Sequence, residues 1–318
     1  MGEGVRPRRR ELTWKAELRL VGAGGESVDL WRTISSHGVA DLPPNRIDDE
    51  ARTLELTLRV PKGKPRTVGV AQGPPGRATI TVVGPAPAPE LAQALLERIG
   101  HLLRLDEDLS DFYARVQDDP DLAWAGEGAG RLLRSATVFE DVVKTIATTN
   151  CAWGATVRMV GALVEHLGEP AAGASPDGPY GRAFPSPAAM AGAGDDFYKD
   201  VVRAGYRGPY FRSLAESVAS GELDLEELAE ASADELPDEE VAARLLALPG
   251  VGPYATAHIM MLLGRYTPVI LDSWTRPKYA RVNGRKASDK TIERRFRRYG
   301  RYAGLAFWLY LTRDWVDD

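Results

Sequence analysis

Two hydrophobic periodicities divide the chain. Leu12, Trp14, Ala16, Leu18 and Leu20 alternate with Thr13, Lys15, Glu17 and Arg19, the period of two that marks a half-buried strand. Leu54, Leu56, Leu58 and Val60 alternate in the same way with Thr53, Glu55, Thr57 and Arg59. Val68 and Val70, then Ala78, Ile80 and Val82, lie on either side of the turn Gly73-Pro74-Pro75-Gly76 and predict two more strands. One-sided alternation with short connections predicts an antiparallel sheet with one covered face. The run Leu91, Leu95, Leu96, Ile99 and Leu103 supplies an amphipathic helix to cover it.

From His101 the period changes to that of helices. Phe139, Val142, Val143 and Ile146 form one apolar stripe, which ends at Thr148-Thr149-Asn150. The next helix begins near Trp153, carries Val157, Val160, Val164 and Leu167, and stops at Gly168. Residues 169–194, rich in Gly, Pro, Ala and Ser, read as a long loop, and Tyr206 and Tyr210 beyond it read as packing residues. Val241, Leu245 and Leu246 give a helix after Pro237. The string Leu248-Pro249-Gly250-Val251-Gly252 turns the chain into an apolar helical run, then a Pro-containing break and Asp272. A last helix (Leu305, Phe307, Trp308, Leu309, Leu311) reads as largely buried. The fold class is therefore α+β: an N-terminal antiparallel sheet domain with a covering helix over 11–104, after a disordered basic arm at 1–10. An all-helical domain follows over 105–318, with a helix-hairpin-helix at about 237–264 and an aspartate-bearing loop at 265–277.

Composition narrows the class. The 318 residues are 44% hydrophobic and 27% charged, as in ordinary two-domain soluble proteins. A single cysteine, Cys151, excludes an internal disulfide framework and a four-cysteine iron–sulfur cluster, and suggests a reducing compartment. No run of about 18 apolar residues is present to span a membrane, and the basic N-terminus lacks a signal-peptide core. A cytoplasmic, nucleoid-associated protein is expected. The four histidines are scattered without ligand spacing.

Charge matters by region. The net charge is −5, yet residues 276–301 hold 11 basic side chains against two acidic ones, while 195–240 hold 14 acidic against four basic. Local potential rather than the sum steers a polyanion, so the basic segment reads as phosphate-facing and the acidic one as a solvated surface. Gly250 and Gly252 tolerate positive φ and leave no side chain between backbone and partner. Their amides lie at a helix N-terminus, where unsatisfied donors and the macrodipole favour an anion such as a DNA phosphate.

LPGVG followed by an aromatic, an apolar helix and an aspartate 18 residues after Tyr254 resembles the helix-hairpin-helix DNA glycosylase superfamily. The stretches 102–116 and 130–150, AFPSPAAMA and the Gly205-Tyr206-Arg207 step resemble its 8-oxoguanine and 3-methyladenine branch, which has no iron–sulfur cluster. The resemblance implies that Asp272 is the catalytic aspartate. It also implies that Asn150, at a helix junction, enters the gap left by an extruded base, although a plain turn asparagine is an equal reading. Gly250, Val251, Gly252, Tyr254, Arg276 and Lys278 become DNA contacts. Tyr254, His258, Trp274 and Trp308 become base-pocket residues, with His258 reading equally as a core histidine. The small sheet domain of such enzymes lends a loop to the pocket, which makes His37 and Asn45 candidates; His37 otherwise reads as a core residue.

Bifunctional members carry a lysine where this chain has Tyr254, and a phenol cannot form a Schiff base. The expectation is a monofunctional glycosylase, a monomer, acting on double-stranded DNA that contains a damaged base. Alkylated purines come first as substrate and oxidised purines second. Lyase activity through Lys278 stays open. The resemblance implies no required cofactor, with a monovalent cation at the hairpin an option. The rival readings are a non-catalytic helix-hairpin-helix DNA-binding or damage-sensing protein, or a mismatch or bifunctional glycosylase. Pro277 conflicts with a helix beginning at Asp272, so that helix begins later or its first turn is distorted.

Overall fold

The computed structural model describes residues 13–60 and 63–316; the expected basic arm at 1–10 lies outside them. Five strands, β1 (Thr13–Arg19), β2 (Arg46–Asp48), β3 (Thr53–Leu58), β4 (Arg66–Gln72) and β5 (Arg77–Val83), form one antiparallel sheet in the order β1-β5-β4-β3-β2. Register follows the alternation. Leu54 faces Val70, Leu56 faces Val68, and Val68 and Val70 face Val82 and Ile80. These side chains bury against Leu95, Ile99 and Leu102 of α1 (Pro89–Leu102). β2 is three residues long and has no sequence period of its own.

The helical body comprises α2 (Ser110–Val116), α3 (Val138–Thr148), α4 (Trp153–Leu167), α5 (Gly208–Ser220), α6 (Asp238–Leu246), α7 (Pro253–Leu262), α8 (Thr275–Val282), α9 (Asp289–Phe296) and α10 (Ala303–Thr312). Two cores meet along α7. Ala255, Ile259 and Met260 pack into the core shared by α3 to α6, while Ala257, Met261 and Leu262 pack into that of α8 to α10. A helix buried on every side needs no polar stripe, which is why α7 reads as a plain apolar run.

Buried charges tie the parts together. The Arg104 guanidinium donates to Leu132 O (2.7 Å), Met261 O (3.2 Å) and Leu262 O, placing a cation on the C-terminal carbonyls of α7. Arg131 donates to Arg104 O, to Glu107 O and to the Glu26 carboxylate from the sheet side. Both arginines are fully buried, and their bonded nitrogens all donate to carbonyls or carboxylates, with Arg131 Nε left without a partner among the described residues. Such pairing is the condition for tolerating charge inside a protein. From the acidic run, Glu226 accepts the amides of Val138 and Phe139 (3.0 and 3.4 Å) and so caps α3. The loop 169–184 lies on the sheet: Ala172 N donates to Pro65 O, Arg59 pairs with Glu169, and Arg46 stacks on Tyr180.

Candidate active site

α8 begins at Thr275, which makes Pro277 its third residue. Amides in a first turn have no intrahelical acceptor, so a proline there costs no bond, and the conflict seen in the sequence disappears. Asp272 stands just before this helix. Its Oδ1 accepts the amides of Trp274 (2.9 Å) and Thr275 (2.6 Å), and its own amide donates to Thr275 Oγ1 (2.8 Å). Oδ2 has no hydrogen-bond partner among the described residues. Asp272 forms no ion pair there either.

Two adjoining cavities share Asp272, Tyr254, Thr148 and Cys151. One is an open cleft of about 800 Å³ between Asn150, Tyr206 and the hairpin Gly250-Val251-Gly252. The other is an apolar recess of about 400 Å³, lined by Tyr254, His258, Trp274, Trp308, Trp315 and Trp153, with Gly38 and Val39 from the sheet side. Its size falls in the range of small-molecule sites. Trp274, Trp308 and Trp315 form a triangle of indoles with ring centres 5.6 to 5.8 Å apart. Trp308 Nε1 donates to Ser36 O (2.8 Å), which anchors the loop between β1 and β2 to α10.

In the hairpin, Gly250 has φ of 82°. A Cβ there would stand 2.6 Å from Tyr210 Cδ2, so both conformation and space require glycine. Val251 N closes the turn on Leu248 O (3.1 Å). The amides of Gly250 and Gly252 have no acceptor among the described residues, and Gly252 is the N-cap of α7. Opposite, Asn150 sits between α3 and α4 in the left-handed region (φ 46°) with its side chain exposed. Arg207 holds this junction by donating to Thr149 O. Tyr206, read from sequence as packing, is instead 52% exposed on the cleft and receives the Asn150 amide at 3.5 Å. Tyr210 does pack, against Gly250.

Of the residues expected at the pocket, Tyr254, His258, Trp274 and Trp308 come together around Asp272. His37 does not line the recess. It lies behind His258 with ring centres 5.8 Å apart, and its Nε2 bonds Leu133 O at 2.6 Å. Asn45 is buried, and its amide donates to Ala40 O; it serves the loop rather than the cavity. Lys278 is drawn away: its ammonium pairs with both carboxylate oxygens of Asp314 at 2.7 Å, and the residue is buried. Arg276 is exposed but engaged in a bidentate pair with Asp289 (2.9 Å twice). Sequence reasoning missed Trp153, Thr148, Cys151 and Tyr206 as lining groups. An aromatic at the first position of α4, directly after the junction, was the one available signal.

Burial sets the protonation of the site. It pushes the Tyr254 phenol upward, opposed by the Thr148 hydroxyl and assisted by the Asp272 carboxylate. Burial lowers His258 to about 4, against the pull of Asp272. It lowers His37 to about 3, with His258 beside it acting in the same direction. Both imidazoles are therefore neutral at physiological pH.

No family model matches the sequence, and the search among curated proteins found no relative. Among solved structures, MBOgg1 in complex with a low-affinity DNA ligand matches with a TM-score of 0.69 and 20% identity, over 95% of this chain and 96% of that one. The 3-methyladenine DNA glycosylase from Archaeoglobus fulgidus matches with a TM-score of 0.67 and 20% identity, over 96% of this chain and 100% of that one. The Clostridium acetobutylicum 8-oxoguanine glycosylase/lyase in its apo form gives 0.59 and 20% identity over 80% and 87%. From the antiparallel sheet to the last buried helix, the chain has the fold of helix-hairpin-helix DNA glycosylases.

Proposed function

We propose that the chain is a monofunctional DNA glycosylase that extrudes a damaged purine from duplex DNA and hydrolyses its N-glycosidic bond. The observation that carries this reading is the position of Asp272, a carboxylate fixed through Oδ1 by two amides while Oδ2 stands open where an aromatic recess meets a hairpin-lined cleft. Departure of a base leaves positive charge on the sugar, as in glycoside hydrolysis. A fixed anion stabilises that charge and orients the attacking water without reorganising.

The remaining parts supply binding. The open amides of Gly250 and Gly252 suit a phosphate at the start of α7. Asn150 projects from a rigid junction into the cleft and suits the gap left by the extruded base. Extrusion costs a few kcal/mol, less for a damaged base, and stacking among Trp274, Trp308, Trp315 and Tyr254 offsets it. An indole face attracts a cationic ring, which favours alkylated purines over oxidised ones. Tyr254 offers no amine for a Schiff base, and Lys278 is committed to Asp314; both support hydrolysis without strand cleavage.

The test is base release from duplexes carrying alkylpurine, hypoxanthine, 8-oxoguanine, or uracil and thymine mismatches, with strands compared before and after hot alkali. Release of a purine with nicking only after alkali, abolished in Asp272→Asn with DNA affinity kept, is expected. Binding without any release by the unaltered protein would leave a damage-sensing protein instead.

A further inference from the structure

His258 on the wall of the recess and His37 behind it form a pair of imidazoles whose hydrogen bonds do not close. Leu133 O is a carbonyl and can only accept, so His37 Nε2 carries the proton in the 2.6 Å bond between them. His37 is neutral, which leaves its Nδ1 a bare acceptor. That atom is shut from solvent and has no partner. On the adjoining ring, edge-to-face at 79°, His258 Nε2 is likewise enclosed and without a partner. Two orphaned nitrogens on neighbouring buried rings each carry a desolvation cost. If His258 holds its proton on Nε2, a turn and slight approach of the two rings, whose centres are 5.8 Å apart, directs it at His37 Nδ1 and satisfies both.

We propose that His37 fixes the tautomer of His258, so that His258 Nδ1 is an obligate acceptor facing a base edge that carries an N–H or amino donor. The inference rests on reading the recess as a base pocket. His37 is a positioning residue, and His258 the group that touches the base. The order of donation is base to His258 Nδ1, His258 Nε2 to His37 Nδ1, and His37 Nε2 to Leu133 O. Among the other polar groups of the lining, Thr148 donates to Thr145 O, Thr156 and Cys151 donate to Ala147 O, and Asp272 stands at the mouth shared with the cleft. The rest are indoles, a phenol and aliphatic side chains, so the acceptor on His258 sets which base edges are admitted. A base showing only a carbonyl or bare ring nitrogen at that place meets an acceptor with an acceptor.

Two measurements on the full-length protein decide this. Long-range proton–nitrogen correlation spectra report the tautomer of each imidazole. The expected result is that His37 and His258 are both protonated on Nε2. In His37→Phe the tautomer of His258 becomes mixed, and in His37→Gln it is restored, because an amide placed there donates to Leu133 and accepts from His258. Protonation of His258 on Nδ1 in the unaltered protein overturns the proposal.

The second measurement is quenching of tryptophan fluorescence by free 3-methyladenine, which carries a 6-amino donor, and by 3-methylpurine, which lacks it. Tighter binding of 3-methyladenine by about tenfold, the worth of one net hydrogen bond, is expected. The preference is lost in His37→Phe and retained in His37→Gln. Equal binding of the two bases overturns the recognition role even with the expected tautomer. Neither readout requires base release, so failure of the hydrolase reading appears separately in the lesion panel.

Discussion

Asp272 and Thr275 cap one another. Thr275 N reaches Asp272 Oδ1 at 2.6 Å while Asp272 N reaches Thr275 Oγ1 at 2.8 Å. The arrangement satisfies two orphan donors at the start of α8, as a capping box does. It also fixes the rotation of the carboxylate, and so the direction in which Oδ2 points.

That reciprocity separates folding from chemistry. Asp272→Asn keeps a carbonyl oxygen for the two amides, so thermal stability is expected to change little. Base release is expected to fall by about 10²- to 10³-fold, the scale of losing one preorganised electrostatic group. Thr275 is fully buried, and Thr275→Val leaves the Asp272 amide without its acceptor. A stability loss of about 1 kcal/mol is expected, together with slower release at unchanged DNA affinity. Thermal denaturation and single-turnover release measure the two effects. Full activity in Asp272→Asn removes the carboxylate from the mechanism.

The hairpin yields a stability prediction. Gly250→Ala places a Cβ 2.6 Å from Tyr210 Cδ2 in a left-handed backbone. The conformation alone costs about 1–2 kcal/mol, and the ring of Tyr210 must also move. Loss of at least that stability is expected, with weaker DNA binding because the turn that presents the Gly250 and Gly252 amides is distorted. Denaturant titration and a binding isotherm check it. Gly252→Ala meets nothing within 4 Å and is expected to be far milder for folding.

What the sequence shows about this site follows the range of the interactions involved. The sheet was legible because β1, β3, β4 and β5 alternate over six or seven residues each. β2, held only by pairing with β3, was not. Asp272 was legible because the glycine turn, the apolar run and the aspartate lie in one continuous string. Trp153, Tyr206 and the retreat of Lys278 to Asp314 depend on contacts between segments distant in sequence, which no local period records. No local period accounts for Arg104 and Arg131 either: only the tertiary arrangement of Leu132 O, Met261 O and Glu107 shows why they are buried.

A basic groove extends the proposed DNA surface. Arg285, Lys286 and Arg294 line an open cavity of about 900 Å³ between α8 and α9, and none has an ion-pair partner among the described residues. It lies at the opposite end of α8 from Asp272, a helix of eight residues and so about 12 Å long at the usual rise. Converting all three to alanine is expected to weaken duplex binding irrespective of the lesion. The slope of log affinity against log salt is expected to fall by about two to three, at roughly 0.9 per phosphate released. Release from a saturated complex should be unchanged. A salt titration with an unmodified duplex checks this, and an unaltered slope places the flanking strand elsewhere.

The buried histidines give the fold a distinctive acid sensitivity. His37 and His258 fall from 6.5 to about 3 and about 4, so below pH 6.5 the unfolded chain takes up two protons that the native one refuses. Asp141 acts oppositely. Burial and the neighbouring Glu140 raise it from 3.8 to about 7, opposed by the Ser135 bonds and Lys144. Between pH 4.5 and 6 the native state therefore holds one proton on Asp141 that the unfolded chain lacks. The three groups leave the unfolded state ahead by one proton, and stability from them falls by about 1.4 kcal/mol for each unit of acidification. His37→Gln removes one uptake site and cancels that dependence, so its unfolding free energy is expected to run flatter than the unaltered protein's by about that amount per unit. Urea denaturation at half-unit steps across this window measures the difference. Parallel curves would mean that His37 is already protonated in the native state, and the neutral imidazole pair would have to be abandoned.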